Sequence, residues 1–176
     1  MAEKIVLGSG KLYVIAYTDT IPTDEVLEVE GNLLGLILGG ATVEYTPTYY
    51  EAKDDFGLVS KKIITEEEAF LRSGVMTWNA ETLKKLVATG TLTSTASEHK
   101  LEIGGVGNYV DQKYLVHFVH EDKVDGDIRV SMIASNEGGL SFSFAKDQET
   151  VIDAEFKARP NDEKGTLIIY REEIKA

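Results

Sequence analysis

The chain has 176 residues, enough for one domain with a real core and too short to make two the default. It is 43% hydrophobic and 27% charged, with no cysteine, which excludes disulfides and thiolate metal sites and leaves stability to packing and backbone pairing. Thirty acidic against eighteen basic residues give a formal net charge of −12, which argues against tight binding to a phosphate backbone.

The first residues, Met1 to Lys4, lack a basic segment followed by an apolar run, and no stretch approaches the ~20 apolar residues of a membrane span. Neither an export signal nor a transmembrane segment is expected. Lys11 to Tyr17, rich in β-branched and aromatic residues after Gly8-Ser9-Gly10, reads as a first strand. Thr18 to Asp24 reads as a loop, and the glycine-bounded run Leu33 to Leu38 as a small turn packed on the core. These pieces form the N-terminal strand and loops, residues 8–40.

Residues 41–78 organise the rest. Ala41 to Lys53 and Lys61 to Arg72, joined by the turn-prone Asp54-Asp55-Phe56-Gly57, predict a long β-hairpin arm. In the first half Val43 and Tyr45 alternate with Glu44 and Thr46, the period of a strand with one buried face, and Pro47 implies an edge or a bulge. In the return half Ile64, Glu66, Glu68 and Phe70 are expected on one face, and Ile63, Thr65, Glu67, Ala69 and Leu71 on the other. Residues 64–71 also have helical propensity, and the strand is the reading adopted. A two-stranded arm is marginal alone in water, so it needs its own domain or a neighbouring subunit to cover it.

A helix is expected from Ala80 to Thr89, within residues 79–90. Asn79 is a good N-cap, Leu83, Leu86 and Val87 make an apolar stripe, and Gly90 can close the end in the left-handed conformation. Thr91 to Lys100 reads as an exposed polar connection. The C-terminal part, residues 101–171, reads as a β-meander. Tyr114 to Glu121 is apolar on both faces, as in a central strand, and Asp125-Gly126 turns into Ile128 to Ser135. Leu140, Phe142 and Phe144 alternate with Ser141 and Ser143, and Ile152, Ala154 and Phe156 with Asp153, Glu155 and Lys157, giving two half-buried strands. A last strand is expected over Thr166 to Tyr170. The expected class is mainly β (α+β): an antiparallel sandwich or barrel-like fold with one flanking helix and a long hairpin arm.

No chemical constellation emerges. Gly105-x-Gly107 lacks the third glycine and the following helix of a dinucleotide fingerprint. His117 and His120 fall on opposite faces of a strand, so they cannot easily share a metal; one is expected packed and one at the surface. Adjacent residues among Glu66, Glu67 and Glu68 point apart on a strand and carry no burial signal, and Ser141 and Ser143 lack a nucleophile-elbow context. No catalysis, metal or cofactor is expected.

The order of motifs resembles the major tail tube protein of long-tailed bacteriophages. The resemblance rests on Gly-Gly-Ala-Thr-Val-Glu-Tyr-Thr-Pro (39–47), Lys-Asp-Asp-Phe-Gly (53–57), Ile-Thr-Glu-Glu-Glu-Ala (64–69) and Thr-Trp-Asn (77–79) before a helix. It continues through Gly138 to Phe144, Asp147 to Phe156, Ala158 to Asp162 and Gly165 to Leu167. It implies hexameric rings stacked into a virion tail tube, made in the bacterial host cytoplasm, through which double-stranded DNA passes without specific binding. It further implies two hairpins per subunit, Ala41 to Arg72 and Leu140 to Ala158, lining the lumen, and contacts with other tail proteins but not with a membrane. Asp54, Asp55, Phe56 and Gly57 would reach the next ring. On the strand reading, Glu66, Glu68, Arg72, Ser141, Ser143, Asp153, Glu155 and Lys157 would face the lumen, whose acidic balance would repel phosphate. Three other readings stay open: a soluble β-barrel binding a small ligand, a hydrolase with two converging carboxylates, and the inner tube of a contractile or secretion apparatus.

Overall fold

In the computed structural model, which describes residues 5–58 and 60–175, alternation of apolar and polar residues builds one large antiparallel sheet with a smaller second layer. The elements in chain order are β1 (Lys11–Ala16), α1 (Asp24–Leu27), β2 (Leu33–Gly35), β3 (Ile37–Lys53), β4 (Ser60–Val75), α2 (Ala80–Lys85), β5 (Gly90–Ser94), β6 (His99–Ile103), β7 (Tyr114–His120), β8 (Ile128–Asn136), β9 (Ile152–Arg159) and β10 (Ile169–Glu172). The large sheet runs β2-β1-β7-β8-β9-β4-β3, with β10 paired to β8, and β5 and β6 form the small one. The arrangement is mainly β and sandwich-like, and the large sheet stays open instead of closing into a barrel. No helix among the described residues is long and apolar enough to cross a membrane.

The core lies between the large sheet and α2. Leu12, Val14, Leu71, Val75, Val116, Met132, Ile152 and Phe156 supply the sheet side, and Leu86 at the end of α2 enters among them, with Leu83 packed at its margin. Asn79 caps α2 by accepting a hydrogen bond from the Thr82 amide at 2.9 Å. Lys85 Nζ donates to the Val14 carbonyl (2.8 Å) and Asn136 Nδ2 to the Leu86 carbonyl (2.8 Å), which ties the helix to β1 and to the end of β8.

Several expectations need correction. The helix stops at Lys85 instead of Thr89, and Gly90 opens β5 without a left-handed backbone. Glycine is needed there for closeness, since a Cβ would lie 2.4 Å from Val87 Cγ2. Thr91 to Lys100, expected as a connection, belongs to the β5–β6 hairpin. The supposed turn at Leu33 to Leu38 is β2 followed by the start of β3, and α1 begins at the end of the expected loop, giving two helices where one was expected. The last strand is Ile169–Glu172, and it returns to β8, so the C-terminal part is not a simple meander. Leu140 to Phe144 is not a strand. Neither His117 nor His120 is at the surface: both are buried, with His120 Nδ1 2.8 Å from the Ser9 carbonyl.

The β3–β4 hairpin is present, and residues 64–71 are strand. It is longer than expected, 17 and 16 residues, or about 55 Å along β3 at the rise of an extended strand. Gly39 and Gly40, both with positive φ, bulge out between the pairs Leu38↔Gly74 and Ala41↔Ser73.

Candidate assembly surface

β4 changes character along its length. From Ala69 to Val75 alternate residues are buried, because β9 flanks this half and the core lies beneath it; from Ser60 to Glu67 every residue is exposed. The distal half of the arm is covered on neither face, and β3 is the last strand of its sheet, so its outer edge has no strand partner among the described residues.

Register decides which side chains share a face. Thr48 pairs with Glu66 but Tyr49 pairs with Ile64, so Thr65 is an extra residue, and its Oγ1 donates to the Thr48 carbonyl at 3.2 Å. The bulge moves Ile64 off the face of Glu66, where strict alternation would have put it. On the core-side face of the arm Val43, Tyr45, Tyr49 and Ile64 now follow one another, all partly exposed, with Tyr45 Oη donating to Glu67 and Lys62 Nζ 4.1 Å from the centre of the Tyr49 ring.

The opposite face is polar across three strands on the core-proximal side of the bulge, and beyond the bulge it carries the exposed pair Tyr50 and Ile63. The pairs Arg72↔Glu155, Phe70↔Lys157 and Gly74↔Asp153 put Asp153, Glu155 and Lys157 of β9 beside Glu66, Glu68 and Arg72 of β4. Six of the eight residues expected in a lumen thus share one face. Ser141 and Ser143 do not: both are exposed on the irregular stretch after β8. Sequence reasoning missed Glu44, which shares this face through its pairing with Phe70, although its alternation with Val43 and Tyr45 carried the signal.

Most of these charges are paired. Arg72 donates to Glu155 (2.5 Å) and to Glu44, and these hydrogen bonds raise the guanidinium above its usual range, Glu155 contributing most. Lys157 donates to Glu68 (2.6 Å), which likewise holds the ammonium high. Phe70 lies between the two cations, 4.7 Å from Arg72 and 5.6 Å from Lys157. Glu66 and Asp153, both exposed, form no ion pair or hydrogen bond among the described residues, so they are the least neutralised charges of the face. An open groove of about 420 Å³ lies at the base of this face, lined by Gly39, Gly40, Arg72, Gly74, Asp153 and Glu155 among others.

The loop at the end of the arm turns at Gly57, with φ +68° and its amide bonded to the Asp54 carbonyl at 3.0 Å. Phe56 is 85% exposed there, and Leu58 similarly.

Farther along the same sheet face, α1 covers a charged cluster. His117 is fully buried, with Nδ1 2.8 Å from Ser131 Oγ and Nε2 3.3 Å from Glu28 Oε1. Asp24, Glu28 and His117 bring their ligand atoms within 4.8 Å of one another. Both carboxylates are already bonded to guanidiniums, Glu28 to Arg129 (2.6 Å) and Asp24 to Arg171 (2.6 and 3.0 Å), and a cation would have to displace these. The cluster therefore reads as a clamp of α1 onto β7, β8 and β10.

Burial pushes the His117 pKa below its ordinary value, with the Glu28 carboxylate opposing this in part. The unfolded chain binds a proton near pH ~6.5, where the folded one does not, so stability is full above that pH and is lost as pH falls toward the depressed folded value. Asp24, held low by its hydrogen bonds to Arg171, adds a loss in the same direction near pH ~4. The urea midpoint is expected to fall between pH 7 and 5, with a shallower slope in a folded His117→Gln variant. Equal slopes would remove His117 from this account.

No family model matches the chain, and no match to it was found among curated proteins.

Proposed function

We propose that the chain is the structural subunit of a bacteriophage tail tube, which assembles into hexameric rings stacked around a lumen for DNA. The observation that carries this reading is the arm. It has a 17-residue strand with an unpaired outer edge and an uncovered apolar stripe on one face, and its other face, together with β9, carries Glu44, Glu66, Glu68, Asp153 and Glu155 with Lys61, Arg72 and Lys157. A long edge of this kind invites pairing with another chain, and ring closure removes it. The apolar face then packs outward on subunits, and the charged face turns to water and passing phosphate. The protein acts in the virion tail after synthesis in the host cytoplasm, contacts its own copies and other tail proteins, and performs no catalysis. A ligand-binding barrel is less well supported, since the sheet is open and the groove at the base of the arm is shallow and open to solvent. Glu44 and Glu155 there share Arg72, which disfavours acid–base work.

Light scattering and negative-stain microscopy at rising protein concentration test the proposal. Rings or tubes are expected, and a strict monomer at high concentration would refute it. Deleting Ala52 to Leu58 is expected to leave a folded subunit that makes rings but not long tubes, if the loop with Asp54, Asp55, Phe56 and Gly57 bridges rings. Long tubes from the deletion variant would remove that role.

The lumen assignment has its own test. Glu66→Lys with Asp153→Lys breaks no ion pair of the subunit, so folding and assembly are expected unchanged. DNA retention by the tubes should rise and should weaken with salt, by up to about 0.9 in the log–log slope per phosphate newly neutralised. Glu68→Lys would strip Lys157 of its partner and is the poorer probe. Unchanged retention at low salt would place this face outside the lumen.

A further inference from the structure

β8 and β10 set two arginines directly opposite each other, since Arg129 pairs with Arg171 across their ladder. Like charges in that position repel. Two carboxylates of α1 and its C-cap neutralise them: Glu28 accepts from Arg129 at 2.6 Å, and Asp24 from Arg171 at 2.6 and 3.0 Å, with Arg129 3.5 Å away. Asp24 and Glu28 stand at i and i+4, so the single turn of α1 holds both on one side. The turn before β8 adds Asp127, 3.2 Å from Arg129. α1 therefore occupies the arginine pair as a tethered dianion.

The tether is light. α1 has four residues, a single buried side chain, Leu27, and no side-chain hydrogen bond at its N-cap. Leu27 lies outside the core cluster that the sheet shares with α2, and Thr18 to Ile21, which lead toward the helix, are exposed. Charge is thus the main hold of α1 on the sheet, and protons can weaken it. His117 supplies the switch. The Glu28 carboxylate only accepts, so Nε2 carries the hydrogen of the neutral ring, and Nδ1 accepts from the Ser131 hydroxyl at 2.8 Å. A second proton, on Nδ1, would displace the Ser131 hydrogen and leave it to find another acceptor beneath α1. The remaining groups on this face are the Tyr13 ring, 6.3 Å away, and the Lys11–Glu121 pair, closed at 2.5 Å. Lifting α1 admits water to the ring, so acid favours the lifted form, and the downward shifts of His117 and Asp24 have the same sign.

The lift leaves Arg129, Arg171 and a protonated His117 on neighbouring strands, without the carboxylates of α1. Paired guanidiniums match the oxygens of a phosphate-like ion. The net charge of −12 turns away polyanions, which leaves a small ion as the occupant. We infer that α1 is an acidic lid over an oxyanion site built from Arg129, Arg171 and His117, closed at neutral pH and opened by mild acid while the sheet stays folded. The site is independent of the tube reading.

Sulfate is the probe, because its charge does not change between pH 7 and pH 5. Calorimetric titration, against sodium chloride at equal ionic strength, should show it binding about tenfold tighter at pH 5 than at pH 7, as the competent state becomes populated. The Asp24→Asn, Glu28→Gln double variant should bind it already at pH 7, and Arg171→Gln at neither pH. Native-state hydrogen exchange reads the lid itself. The Val26, Leu27 and Glu28 amides, bonded within the turn, should open with little dependence on urea and up to about 25-fold more often at pH 5 than at pH 7 through His117 alone. Amides of β7 and β8 should open only with the urea slope of global unfolding. Three results would overturn the lidded site: no sulfate binding by the parent at pH 5 or by the folded double variant at pH 7, binding that survives Arg171→Gln, or α1 amides that share the urea slope of β7 and β8.

Discussion

Leu86→Asp is expected to unfold the subunit. Leu86, just past the end of α2, is 1% exposed in one core cluster with Leu12, Val14, Val116, Ile152 and Phe156. The change forfeits about 1.5–3 kcal/mol of apolar burial and adds the several kcal/mol needed to bury or neutralise a carboxylate without a partner. Set against the roughly 5–15 kcal/mol that stabilises a domain, that loss is decisive or nearly so. Leu83→Asp should cost less, since Leu83 is only partly buried, and Lys84→Ala, at an exposed position, should change stability by no more than about 0.5 kcal/mol. Circular dichroism with thermal melting separates the three. A Leu86→Asp protein melting like the parent would mean that α2 is not docked on the sheet as described.

The residues that made this fold legible have one buried face. Ile152, Ala154 and Phe156 alternate with Asp153, Glu155 and Lys157 because β9 lies on the core, and β7 reads as a central strand because both of its faces are covered. Thr91 to Ser94 gave no such signal: no residue of β5 is fully buried and only Leu92 among these four is apolar, so a polar strand looks like a polar loop. The end of α2 was misjudged because Val87 continues the stripe at helical spacing, while Gly90 answers a packing constraint that sequence does not display. The bulge at Thr65 was invisible for a related reason. On a segment exposed on both faces, inserting one residue leaves no mark in the apolar pattern. Six polar residues of the expected lumen nevertheless fell on one face, because Glu66, Glu68 and Arg72 lie on the core-proximal side of the bulge, where simple parity holds. Ser141 and Ser143 failed the same rule because their strand is not formed.

Recharging the apolar stripe of the arm is expected to abolish assembly without unfolding the subunit. Tyr49 and Ile64 face each other across β3 and β4, and each is 50% exposed, so the subunit gains little from burying them. Tyr49→Glu with Ile64→Lys replaces the pair by opposite charges in the same cross-strand position, which preserves pairing in the hairpin and leaves Lys62 a partner. Surface changes of this kind shift stability by about 1 kcal/mol or less. On the proposed tube reading, the same two side chains would lie on the buried side of a contact in the ring. Losing two anchors at about 2 kcal/mol each weakens that contact by about a thousandfold, and the loss recurs at every interface of the ring. Sizing with light scattering should therefore show a monomer with parental melting at concentrations where the parent forms rings. Thr46→Lys, on the polar face opposite Glu68, serves as the control and should assemble normally. If the recharged arm assembles as well as the parent, the apolar stripe is not an interface, and the arm must close its edge by backbone pairing alone.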